Sequence, residues 1–210
     1  MGLYLYGCGG VGIVASEVAL ATGREVAGFV DDGPGRERCR GHAVRPGLAL
    51  DPDLRFDPED RLSICLGDNR LRAALCRRFA AHLETLTHPS AIVSPSARVG
   101  LGSLVFLGAR VQTDASVGRG VLLNTGASVD HECRVGDYVH LSPNVTLCGS
   151  VEVGEGANLG AGSIVIPGVR VGAWTTLGAG TVVIEDIPDG ATAVGCPARI
   201  VRIGERGPRA

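Results

Sequence analysis

The chain has 210 residues, a formal charge of −2 and 4% aromatic residues. That balance offers no basic surface for nucleic acid or for an acidic membrane, and no apolar run is long enough to span a bilayer. The length suits one large domain or two small ones, and 32 glycines beside so few rings suit a core of stacked aliphatic side chains.

The opening MGLYLYGCGG has no basic region followed by a long apolar run, so no signal peptide is expected. Residues 2–6 predict a short apolar strand, followed by the turn Gly7-Cys8-Gly9-Gly10-Val11-Gly12 and a helix to about Thr22. A second strand is expected over 25–30, ending at Asp31-Asp32. Residues 33–60, rich in Gly, Pro and charge, predict a loop with one short strand inside it. A third strand over 61–66, a helix from Gly67-Asp68-Asn69 to about His82 and a fourth strand over 83–86 complete a Rossmann-like parallel α/β domain, residues 1–88.

The glycine turn matches G-x-G-x-x-G between a strand and a helix, with an acid about twenty residues further on. Such a turn lets backbone amides approach an anionic phosphate at a helix N-terminus. A dinucleotide dehydrogenase would need a second mononucleotide half, and here a different pattern follows. A nucleotide or nucleotide-sugar is therefore the expected ligand, against the alternative that the glycines only pack helix on strand.

From Val93 to Val183, Val or Leu occurs at every sixth position, sixteen times without an insertion. Two residues before these positions lie small side chains such as Ala97, Ser103, Ala109, Ala127, Cys133 and Ala157. Neither a helix nor an alternating strand repeats every six residues; a β-solenoid of short strands and tight corners does. Three units close a triangular coil of eighteen residues. Glycine often follows the aliphatic residue, as at Gly100, Gly118 and Gly136, where the sharp turn is expected. The solenoid is placed over 89–188, with residues 189–210 as a closing loop or tail. Seven cysteines (Cys8, Cys39, Cys65, Cys76, Cys133, Cys148, Cys196) without a C-x-x-C pair predict reduced thiols and a cytoplasmic protein.

The segments YGCGGVG, FVDD, LGDNRLR, HPSAIVSPSARVG, LLNTGASVDHECRVGDYVHLSPN and VGCPARIV resemble the bacterial nucleotide-sugar acetyltransferases. This hexapeptide-repeat group includes UDP-4-amino-sugar N-acetyltransferases of bacillosamine synthesis, GDP-perosamine N-acetyltransferases and sialic acid O-acetyltransferases. The resemblance implies a left-handed β-helix, acetyl-CoA as co-substrate, no metal and a homotrimer. It places Gly9, Gly10 and Val11 at the phosphate turn, Asp31 and Asp32 at the base or ribose end, and Gly67 at a backbone contact. Many relatives carry His where this chain has Val11. His140 is implied to contact acetyl-CoA near its thioester, with Ala161, Ala179 and Arg199 further along the same cofactor.

His131 and His140 are the two histidines of the repeat region. His131 replaces a corner residue, and an imidazole titrates near neutrality, so it can take the proton of an attacking nucleophile. A flanking carboxylate raises its basicity. Glu132 matches the family position for that carboxylate, Asp130 competes with it on sequence alone, and Asn124 matches the family's orienting residue. His140 follows His131 by half a coil, so one pocket using both must lie at a seam between subunits. The expected activity is N-acetylation of a nucleotide-linked 4-amino-deoxy sugar by direct transfer. Alternatives are O-acetylation of a sugar hydroxyl, a non-catalytic nucleotide-sugar-binding protein, a zinc site needing three imidazoles, and a covalent route through Cys133 or Cys148.

Overall fold

The computed structural model describes residues 2–33 and 35–204. Its N-terminal sheet has the order β3-β4-β2-β1-β5, from β1 (Leu3–Tyr6), β2 (Val26–Asp31), β3 (Arg38–Cys39), β4 (His42–Pro46) and β5 (Arg61–Ile64). All pairs are parallel except β3 with β4. Helix α1 (Gly10–Ala21) links β1 to β2, and α2 (Asn69–Arg78) follows β5. Asp68 caps α2 by accepting a hydrogen bond from the Leu71 N–H at 2.8 Å, while Arg77 and Arg78 occupy its last turn, where cations favour the helix dipole.

Three expectations need correction. Residues 33–60 hold two strands, not one, and they extend the sheet as a hairpin. Its two-residue turn is Arg40-Gly41, both with positive φ (51° and 84°), the backbone twist that tight hairpins require. The second helix stops at Arg78 and a 3-10 turn, Ala80–His82, follows it. The strand expected over 83–86 is β6, Leu86–Thr87, and it joins the solenoid by pairing with Leu104–Val105; Leu83 keeps only an isolated bridge to Leu62. The coil therefore begins before His88.

The solenoid is the left-handed β-helix expected. Its strands are two residues long and pair in register eighteen residues apart, as in Arg110↔Ser128 and Val111↔Val129. They form three sheets, one per face of a triangular prism. Face one carries Leu104, Leu122, His140, Asn158 and Thr176 outward in one ladder. Face two carries Ile92, Arg110, Ser128, Thr146, Ile164 and Val182, and face three Arg98, Ser116, Arg134, Glu152 and Arg170. The second residue of each strand points inward. Leu123, Val129, Leu141, Leu147, Leu159 and Val165 are wholly buried, with Ala109, Ala127, Cys133 and Ala157 packed among them.

The glycines after the rung residues serve a different purpose from the one expected. The left-handed backbone falls two residues later, at Gly102, Gly108, Gly126, Glu132, Asn144, Ser150 and Trp174 among others. Gly100, Gly118, Gly136, Gly154 and Gly172 instead line one edge of the prism, where the next coil's backbone would meet any Cβ. At the C-terminus, Ala191–Val194 and Arg199–Ile203 pair as an antiparallel hairpin, and the first of them extends face one beside Thr176–Leu177. The expected tail is thus largely strand, and residues 205–210 lie outside the described part.

The two domains share a core. Leu86, Leu104, Phe106 and Leu122, outward on the first coils, pack with Leu3, Leu5, Ala15, Val18 and Ala19. Leu122 is fully buried and Leu86 and Leu104 nearly so. At about 1.5–3 kcal/mol for each such side chain, this contact fixes one domain on the other. The outward ladder of face one turns from apolar to polar at His140, and Asn69 of α2 reaches the next coil by donating to Gly156 O and Ala157 O at 3.0 and 3.1 Å.

Candidate active site

Three groups of candidate residues come together at separate places. The first is the glycine turn. Gly9 is the N-cap of α1 without a side-chain cap and no acid stands in the first turn, so the leading N–H groups stay available to an anion. Gly9 and Gly10 are exposed, and a Cβ on either would meet nothing within 4 Å, so the space above them is open. Val11 is half-buried and packs against the α/β core, where it offers a ligand no polar atom. Gly12 lies against the Gly7 carbonyl with no room for a Cβ.

Asp31 and Asp32 hold this turn and its neighbours. Asp31 accepts hydrogen bonds from Cys8 N at 2.6 Å and Gly33 N at 2.8 Å, one on each oxygen. Asp32 Oδ1 accepts from the Tyr6 hydroxyl at 2.8 Å and Ala49 N at 2.9 Å. Asp31 thereby ties the turn to the end of β2. Asp32 Oδ2 takes no protein hydrogen bond among the described residues. Arg36, which the sequence did not single out, donates to Cys8 O at 2.6 Å and brings a cation to the turn. Asp31 and Arg36 line a cavity of about 260 Å³ with Glu37, Val44, Arg45 and Leu50.

The second group lies where the strap after β5 overhangs face one. The Gly67 backbone lies beside the His140 ring, and Asn124 Nδ2 approaches His140 Nε2 at 3.5 Å. Thr125 N donates to Asn124 Oδ1 at 2.8 Å, which fixes the orientation of that amide. Burial first, and the nearby Arg72 guanidinium second, lower the His140 pKa from 6.5 to about 4, so this imidazole is neutral.

The third group is the corner between faces two and three. His131 Nδ1 lies 3.1 Å from Glu132 Oε2, and Ser150 Oγ donates to the same oxygen at 3.4 Å. An ionised carboxylate accepts only, so Nδ1 carries the hydrogen and Nε2 keeps its lone pair. Asp130, the competing carboxylate, instead accepts the His131 backbone N–H at 2.8 Å. Glu132 holds a left-handed φ of 59°. One coil on, Gly149 forms the seat of the His131 ring: a Cβ there would lie 2.5 Å from both Cε1 and Nε2. Gly149 and Ser150 follow His131 and Glu132 by one eighteen-residue coil, and that period was the signal that could have found them.

Ala161 and Ala179 are exposed and successive on the edge between faces one and two, where Gly180 N donates to Ala161 O. Their own N–H groups take no intramolecular partner among the described residues. Arg199 is exposed on the terminal hairpin, and among the described residues its side chain bonds only to Ala198 O. Cys133 is wholly buried, donates to Cys148 O at 3.1 Å and has its thiol pKa raised by that burial, which suits core rather than nucleophile.

The edge between faces two and three lies opposite face one, so His131 and His140 of one chain stand on opposite sides of the solenoid. No helix among the described residues is long and apolar enough to cross a membrane.

Residues 2–79 match the PglD N-terminal domain family. A histidine variant of perosamine N-acetyltransferase from Caulobacter crescentus, in complex with CoA and GDP-perosamine, is 43% identical over 96% of this chain and 97% of its own, with a TM-score of 0.90. The chain belongs to the nucleotide-sugar acetyltransferases. The acetyltransferase domain of PglB from Neisseria gonorrhoeae is 37% identical, covers 95% of this chain and 98% of its own, and has a TM-score of 0.88. WeeI from Acinetobacter baumannii, 23% identical with a TM-score of 0.86 over 96% of this chain and all of its own, shares the fold. No curated protein sequence matches the chain. Family membership makes this protein an acyltransferase that uses acetyl-CoA.

Proposed function

We propose that the chain transfers the acetyl group of acetyl-CoA to the amine of a nucleotide-linked 4-amino-deoxy sugar, directly and without an acetyl-enzyme. The nucleotide lies over Gly9, Gly10 and Val11 with Asp32 at its ribose or base end, and the sugar reaches toward Gly67, Asn124 and His140. GDP-perosamine, bound by the Caulobacter relative, is the first donor to test. The pantetheine arm follows the exposed edge of Ala161 and Ala179, with Arg199 near its phosphates. The free thiols among the described residues accord with a reducing cytoplasm.

The observation that carries this reading is the His131–Glu132 pair, an oriented imidazole with its Nε2 lone pair free at a prism edge. In the reaction the sugar amine attacks the thioester carbon, His131 Nε2 takes the amine proton, and the carbon–sulfur bond breaks. The proton then returns to the departing sulfur, leaving an amide and free CoA. His140 stands on the opposite face of the same coil, so a pocket using both histidines combines two copies. A closed ring of three places three such pockets at equivalent seams, and face two, with one charged residue in its outward ladder, suits burial between copies.

A thiol-release assay with UDP-, GDP- and dTDP-linked 4-amino-6-deoxy sugars tests the reading. His131→Ala is expected to stay folded and bind CoA while losing about 10²- to 10⁴-fold in kcat, the range for a general base. Wild-type turnover in that variant would remove His131 from the mechanism.

A further inference from the structure

Beneath the strap lies a guanidinium that the transfer step does not use. Arg72, on α2, is 1% exposed and has no salt-bridge partner among the described residues. Its hydrogen bonds all go to backbone carbonyls: Nε to Gly120 O at 2.8 Å, Nη1 to Leu66 O at 2.7 Å, and Nη2 to Tyr138 O at 2.8 Å and Val139 O at 3.3 Å. Burying a cation without a carboxylate is costly, and burial lowers its pKa to about 10. The planar fork of arginine can hold acceptors in several directions at once; an ammonium cannot hold that fixed geometry.

The acceptors come from three places: the strap of the α/β domain and two successive coils of the solenoid edge. Leu66 immediately precedes Gly67, whose backbone lies beside His140, and Val139 immediately precedes His140 itself. Both ends of the Gly67–His140 contact are therefore pinned through Arg72. The Asn124 amide, its oxygen already taken by the Thr125 N–H, presents Nδ2 to His140 Nε2, which casts Nε2 as an acceptor. The other groups in register with His140, Leu122 and Asn158 on the adjacent coils, are uncharged; Arg72 is the charge that acts on it.

We propose that Arg72 is a positioning residue of the acyl-transfer site, a pin between the two domains that fixes His140 in one orientation with Nε2 as an acceptor. This rests on the reading of His140 as part of that site. The test compares Arg72→Lys, which keeps charge without the fork, with Arg72→Met, which removes both. Nitrogen-15 NMR of the His140 ring in the free protein, followed from about pH 4 to 8, is read beside kcat and KM for both substrates. Arg72→Lys is expected to keep the fold and assembly, to show both His140 tautomers and to lose about tenfold in kcat. Arg72→Met is expected to move the His140 titration upward as well.

Should Arg72→Met fail to fold, the lysine variant decides. Unchanged His140 signals in a folded variant would overturn the pin, even with a lowered melting temperature. Altered signals with unchanged turnover would also overturn the proposal, by removing His140 from the site rather than Arg72 from its contacts.

Discussion

An imidazole at a solvent-facing edge must be oriented by its own neighbours, because no core surrounds it. The side chains of His131 and Glu132 are 56% and 65% exposed, so their mutual hydrogen bond is worth little as stability. Its value is directional: it chooses the tautomer and fixes the ring over Gly149. His140 faces the opposite circumstance, and its burial has a consequence for the whole fold. In the unfolded chain its imidazole titrates near 6.5, in the folded chain at about 4. Between those values the unfolded state binds a proton that the native state refuses. The contribution of His140 is thus complete above about pH 6.5 and falls as pH drops toward about 4, by up to about 3 kcal/mol. Urea midpoints measured between pH 7 and about 4.5 should therefore decline less steeply in His140→Gln than in the wild type. Parallel curves would show that the acid sensitivity resides elsewhere.

The solenoid coil is the element that makes both histidine sites, because every position is stacked on its counterpart eighteen residues away. Gly149 illustrates this: its backbone dihedrals are not the reason for glycine, the ring above it is. Gly149→Ala should swing His131 outward while leaving the rungs intact. The expected result is a kcat loss of about 10²-fold, as for a small misplacement of a reacting group, with CoA affinity measured by calorimetry unchanged. Retained turnover would show that the ring needs no such seat. The rungs were legible in the sequence because an inward Val or Leu is demanded on every face, and a long uninterrupted period is hard to mistake. His131 was legible as a candidate because a histidine among small turn residues stands out. The seat was not, since a glycine in a glycine-rich repeat carries no contrast. The β3–β4 hairpin was missed because Arg40 occupies a left-handed position that usually signals itself with Asn, Asp or Gly. β6 was misplaced because an apolar pair such as Leu86–Thr87 fits either sheet, and pairing with Leu104–Val105 decides it.

At the scale of the whole molecule, the prism forces a choice. Its cross-section sets the edge bearing His131 against the face bearing His140, and the filled aliphatic core lies between them. If both act on one acetyl group, each pocket must take its base from one copy and its floor from the next. Two inactive variants can then repair one another. His131→Ala and His140→Ala should each be nearly inactive alone, yet after joint refolding at equal amounts roughly one site in four receives both native histidines. Activity of that fraction of the wild type, appearing only after subunit exchange and accompanied by a trimer mass in light scattering, is the expected outcome. A mixture as inactive as its components, in protein shown to have exchanged subunits, would mean that the two histidines serve separate places and that the solenoid works one chain at a time.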